Sequence, residues 1–195
     1  MRFRRKQLYG GAGWVKADFA GLIGKRAMNV ILCGMMGVGK TSVGQILAQK
    51  LGRRWVDTDG LIVERYGEIA AIFEQFGEGH FRGLETEIVK ELVQGDGLVI
   101  SVGGGLVLKE ENVALLKQNG KIVYLRASAE TLAERLAVGN NRPLLNTGEL
   151  LPKVQGLLEE RAPIYARAAD FTVDTEGKTI ENVALEIGAF LMENK

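Results

Sequence analysis

Two short stretches carry residue types suited to handling phosphate. Residues 34–42 read GMMGVGKTS, which fits the pattern GxxxxGK[ST] at Gly34, Gly39, Lys40 and Thr41. Glycines at these places let the backbone turn tightly enough for successive N–H groups to point at one anion, and a helix starting near Lys40 adds its positive end. Lys40 supplies a mobile cation for β- and γ-phosphates, and the Thr41 hydroxyl is placed to ligate Mg²⁺. Further on, residues 55–60 read WVDTDG. If Trp55 and Val56 end a strand, Asp57 and Asp59 project to the same side and their charges crowd unless something positive sits there. A plain alternative is an Asx-type turn at a solvated strand end.

The usual partner of a phosphate loop is an acidic residue ending another strand, which holds the metal through water. The strand LVISV at 98–102 ends without one, since Ser101 stands where an aspartate is expected. Asp57 therefore becomes the candidate carboxylate on the metal side. No NKxD sequence is present to read guanine.

A second substrate needs its own shell. Gly103, Gly104 and Gly105 follow a strand and precede a helix, so backbone can approach a bound molecule closely there. In GEGHFRGLE, a helical phase puts Phe81, Leu84, Ile88 and Leu92 on the buried face and Glu78, Arg82 and Glu85 off it; Arg82 and Glu85 are spaced to pair, as surface ions often do. Arg161, in EERAPIY, falls near a helix end, where the helix dipole alone would account for it.

The elements that must position these residues alternate. Short apolar or β-branched runs at Asn29–Cys33, Arg54–Asp57, Leu98–Val102 and Lys121–Leu125, with a weaker one at Phe171–Val173, read as strands. Helical patterns fill the intervals at 40–51, 59–66, 69–76, 78–93, 110–118, 128–137, 151–167 and 179–192. Such alternation predicts an α/β fold, a mostly parallel sheet with helices on both faces and ligands at the carboxyl ends of its strands. The stretch VGNNRPLLNTGE (138–149) is left as an Arg-bearing loop, with the length and composition of a closing lid.

Composition narrows the classes. At 195 residues, 46% hydrophobic and 25% charged, the chain suits one domain. One histidine, His80, excludes a polyhistidine metal site, and one cysteine, Cys33, excludes an intramolecular disulfide. No apolar run approaches membrane-spanning length. Residues 1–27 hold seven of the 25 Lys or Arg but one of the 24 Asp or Glu, leaving an acidic balance of 18 against 23 for residues 28–195 and no nucleic-acid stripe. The leading segment reads as a basic, poorly ordered extension, and residues 28–195 as the single folded domain.

Together GMMGVGKTS, VDTD, IFEQFGEGHFRGLE, SVGGG, RPLL, ERAPIY and the VDT at 173–175 resemble the shikimate kinases, over essentially all of residues 28–190. Any one block is weakly specific; their joint order and spacing are not. The resemblance implies a three-layer α/β/α P-loop NTPase fold with a five-stranded, mainly parallel sheet and a flexible lid at about 138–150. It implies transfer of the γ-phosphoryl group of ATP to the 3-hydroxyl of shikimate, giving shikimate 3-phosphate and ADP in aromatic amino-acid biosynthesis. ATP would be held by Gly37, Val38, Gly39, Lys40, Thr41 and Ser42, with Arg135 against adenine and Arg142 closing from the lid. Mg²⁺ would rest on Thr41 and, through water, on Asp57. Shikimate would meet Asp59, also the favoured general base, with Gly103, Gly104 and Gly105 along its ring and Arg82 and Arg161 on its carboxylate. The expected partners are ATP and shikimate, without nucleic acid or membrane, in a cytoplasmic monomer.

Two departures from the family pattern stand out: the extension before Met28, and KTIEN around Ile180 where relatives often carry a proline. Two rival readings are a gluconate-type kinase of the same architecture and a non-catalytic nucleotide-binding module.

Overall fold

The computed structural model describes residues 27–139 and 147–193. Strands β1 (Asn29–Cys33), β2 (Arg54–Asp57), β3 (Leu98–Ser101), β4 (Gly120–Arg126) and β5 (Phe171–Asp174) form one sheet in the order β2-β3-β1-β4-β5. Every pairing is parallel. Strand β1 lies at the centre, buried throughout, which is why its sequence reads as an unbroken apolar run and not as an alternation.

The register separates the two faces. Leu32 pairs with Ser101 and Cys33 with Tyr124, and successive residues of a strand point to opposite sides. The Ser101 hydroxyl reaches the Lys40 carbonyl in α1 (Lys40–Leu51), so α1 covers one face, and α7 (Ile180–Glu193) packs beside it. The Tyr124 ring packs on Tyr165 of α6 (Thr147–Ala168), which with α4 (Glu110–Lys117) covers the other face. Helices α2 (Thr58–Tyr66), α3 (Ile69–Leu92) and α5 (Ala129–Gly139) complete the three layers. After β1 the chain runs to the β2 edge, returns through β3, and then crosses to β4 on the other side of β1. The strand order thus reverses at β1, and the crevice for ligands opens beyond its carboxyl end.

The expected five-stranded parallel sheet holds, and the departures are local. The two helices expected at 69–76 and 78–93 run on as one element broken at Gly77, whose φ of +77° is open to glycine. A 3-10 turn at Leu106–Leu108 follows the glycine triplet. Helix α6 begins at Thr147, not at Leu151; Pro152 looks like a first helical residue in sequence, yet an extra turn precedes it. With α5 reaching Gly139, the ends of the expected lid are helical, and its remainder, residues 140–146 with Arg142, lies outside the described residues. So does the expected extension apart from Ala27, whose carbonyl accepts the Gly97 N–H at 2.5 Å.

Candidate active site

The phosphate loop joins β1 to α1. Gly34, Gly37 and Gly39 all have positive φ, and Gly39 caps α1 in a left-handed conformation without a side-chain cap bond. The first turn of α1 therefore keeps its N–H groups free of side-chain acceptors, the condition for seating an anion. Lys40 curls back over the loop, donating to the carbonyls of Gly34 at 2.8 Å and Met35 at 3.0 Å. Burial lowers its pKa, opposed by Asp59 first and then by Cys33 and Asp57. Ser42 is exposed on the first turn, and the buried Val38 offers its carbonyl to Arg135.

Ser101 has a different task from an acidic strand end. Its hydroxyl donates to the Lys40 carbonyl at 2.9 Å and accepts the Trp55 indole N–H at 3.0 Å. Gly44 leaves room for this pair, because a Cβ there would come within 2.6 Å of both. Ser101 thus pins the start of α1 to the sheet.

Asp57 and Asp59 do not project together from one strand: β2 ends at Asp57 and α2 begins at Thr58, so the turn named as the plain alternative forms instead. One oxygen of Asp57 caps α2, accepting from the N–H groups of Asp59 at 3.0 Å and Gly60 at 3.2 Å; the other accepts from the Thr41 hydroxyl at 3.1 Å. Thr41 and Asp57 therefore present adjoining oxygen donors of the kind a hard divalent cation takes. Among the described residues no cluster of three or more His, Cys, Asp or Glu forms a metal centre. Asp59 points away, toward the glycine triplet. Burial first and the Asp57 charge second raise its pKa, while Lys40 and Arg82 act the other way.

The glycine triplet brings distant segments together. A Cβ on Gly103 would collide with the Asp59 carboxylate, and one on Gly105 with the Arg82 guanidinium. The Gly103 N–H donates to the Thr58 hydroxyl at 2.9 Å. Arg82 is held from both sides, pairing with exposed Glu78 at 2.9 Å and with Glu85 at 2.8 Å. Here the expectation of a surface pair is corrected: Glu85 is 1% exposed, and its second oxygen, Oε1, is buried without a hydrogen-bond partner among the described residues. Arg161, on α6, likewise has its Nε buried without an acceptor there.

A cavity of about 330 Å³ at the phosphate loop is lined by Met36, Gly37, Gly39, Lys40, Thr41, Asp57, Asp59 and Val102. Six of the eight were singled out in the sequence. Arg135 stands off it, bonded to Val38 and Thr175, so it ties the phosphate loop to the β5–α7 turn. Two lining residues escaped the sequence reading, and the burial of a third residue, Glu85, named there only as a partner of Arg82, was missed. Met36 and Val102 carry no chemical signature. The burial of Glu85 could have been found, since positions 81, 85, 88 and 92 follow one helical stripe and place it with the buried residues.

The shikimate kinase family model matches residues 36–192. The chain belongs to the shikimate kinase family. A shikimate kinase of Thermodesulfovibrio yellowstonii is 46% identical over 160 residues, covering 82% of this chain and 92% of the relative. The structure of shikimate kinase from Acinetobacter baumannii in complex with shikimate superposes with a TM-score of 0.78 at 38% identity, over 87% of this chain and 95% of that one. A gluconokinase from Sinorhizobium meliloti 1021 gives a TM-score of 0.61 at 21% identity, over 87% of this chain and 96% of that one, a likeness of fold alone.

Proposed function

We propose that the chain transfers the γ-phosphoryl group of ATP to the 3-hydroxyl of shikimate. The observation that carries this reading is the packing of Gly103–Gly105 directly against both Asp59 and Arg82, which brings a carboxylate and a guanidinium onto one small surface near the phosphate loop and so supports a base and a carboxylate-binding group for one acceptor.

In this reading the loop N–H groups and Lys40 hold the β- and γ-phosphates, and Arg135 flanks adenine. Asp59 orients the 3-hydroxyl and takes its proton as the oxygen bonds to the γ-phosphorus and the bond to the β-phosphate oxygen breaks. Its raised pKa suits a base. Lys40, released from its two loop carbonyls, follows the charge that develops on the transferred group, and Arg142 joins it from the lid. Arg82 and the free donor of Arg161 grip the acceptor carboxylate; the exposed Glu78 pair, worth ~0–1 kcal/mol, is readily given up for it. Thr41 and, through water, Asp57 would hold Mg²⁺, which when bound would neutralise charge on the phosphate oxygens. The reading extends to a cytoplasmic monomer without nucleic-acid partners, in keeping with the acidic balance of residues 28–195 and the single cysteine.

ADP release measured with shikimate, quinate and gluconate tests it. Release is expected to depend strongly on shikimate. Equal rates with gluconate would overturn the acceptor assignment, and ATP binding without any acceptor-dependent release would favour a nucleotide-binding module.

A further inference from the structure

One fully buried hydroxyl has no part in the mechanism above. Tyr165 lies one turn after Arg161 on α6, with no exposed surface, and its ring packs against Tyr124 with centroids 5.3 Å apart. Its phenol donates to the Gly104 carbonyl at 2.6 Å and lies 3.6 Å from the sulfur of Met35. Gly104 is the middle of the triplet that touches Asp59 on one side and Arg82 on the other, and Met35 belongs to the phosphate loop. A Cβ on Gly104 would sit 3.7 Å from the Gly34 carbonyl oxygen, 3.9 Å from the Met36 nitrogen and 3.9 Å from the Tyr165 hydroxyl. The phenol thus occupies the joint where the donor loop, the acceptor loop and the Arg161 helix meet. Burial pushes its pKa to about 12, against the pull of the Arg161 guanidinium, so at neutral pH it remains a donor.

We propose that the Tyr165 hydroxyl is a positioning group for phosphoryl transfer, fixing the Gly103–Gly105 loop against the phosphate loop and so setting the approach of the acceptor hydroxyl to the γ-phosphorus. This rests on the kinase reading above. The ring serves packing, and a phenylalanine would supply the same. Among the described residues it is the hydroxyl that holds the Gly104 carbonyl, and without it that carbonyl is free to tilt and carry the acceptor surface with it. Displacements of about 1 Å in a reacting pair cost on the order of 10²-fold in rate.

The test is Tyr165→Phe in the full chain, with turnover expressed per molecule able to bind MgATP. Shikimate-dependent kcat is expected to fall about 10- to 100-fold, with KM for MgATP within about twofold and KM for shikimate changed by less than kcat. That split is the signature of positioning. An unchanged kcat per ATP-binding molecule overturns the proposal, whether or not the variant unfolds at a lower temperature. Equal loss in kcat and in both affinities overturns it too, since that pattern belongs to a merely structural residue. Wild-type turnover on shikimate is the reference: its absence would sink the parent reading and this one with it, whereas a normal Tyr165→Phe variant beside an active wild type would sink this one alone.

Discussion

The donor side and the acceptor side of the proposed site are built in different ways. The phosphate loop is nine consecutive residues, made mostly of backbone N–H groups aimed by three positive-φ glycines, with one lysine already seated on two loop carbonyls. The acceptor side is assembled from Asp59 on α2, Arg82 on α3, the glycine triplet after β3 and Arg161 on α6, and its charges are held by other charges, Glu78 and Glu85 on Arg82. A backbone cradle costs little to keep in place and recognises any phosphate. A side-chain cradle must be supported by packing and counter-charges, and that support is where its specificity comes from.

The sharpest way to break this comparison is at the two carboxylates that sit on its boundary. Asp59→Asn removes the proposed proton acceptor, and turnover is expected to fall about 10²- to 10⁴-fold with MgATP affinity nearly intact. Asp57→Asn keeps a competent cap on α2, because asparagine caps helices about as well as aspartate, and is expected to raise the Mg²⁺ concentration needed for half-maximal rate. Metal titrations giving the reverse pattern would exchange the two assignments.

On the donor side, Lys40→Ala should lower turnover by about 10²- to 10³-fold while shikimate affinity changes much less, because the ammonium acts on charge that develops in transfer. Binding of shikimate measured in the absence of nucleotide separates the two. A near-normal rate would mean that the loop does not serve the reaction.

This contrast also explains what could be read in advance. The phosphate loop is legible because its chemistry lies in contiguous sequence, and the sheet because β1, β3 and β4 are apolar runs with helical periods between them. The role of Ser101 was not legible: its partners, the Trp55 indole and the Lys40 carbonyl, are 46 and 61 residues away. Tyr165 read as part of a family block, and only folding brings its hydroxyl to Gly104, 61 residues upstream. The start of α6 was misplaced because a proline that can begin a helix here lies inside one.

The acceptor side is sharpened by Arg82→Lys, which keeps the charge and removes the two-pronged fork. Losing one hydrogen bond to a charged group, roughly 1.5–3 kcal/mol, corresponds to shikimate affinity weakened about 10- to 150-fold, with ATP affinity spared. The same change measured with an analogue lacking the carboxylate should be small. Equal weakening for both ligands would show that Arg82 does not read the carboxylate.

The smallest effect concerns the support beneath Arg82. Burial, with the Asp59 and Glu78 charges adding to it, raises the Glu85 pKa despite the opposing pull of Arg82. Between the ordinary carboxylate range and that raised value, the folded protein holds more protons at this position than the unfolded chain does. Stability at this site is therefore fully present below the ordinary range and is lost as pH rises through the folded value. Glu85→Gln cannot ionise, so it removes this slope while keeping the shape. Thermal unfolding from acid to neutral pH should show the wild type losing stability relative to the variant as pH rises, with the two converging at low pH. The opposite divergence would mean that pairing with Arg82 outweighs the cost of burying the charge, and the acceptor side would then gain stability from its ion pair instead of holding it at a cost for the sake of geometry.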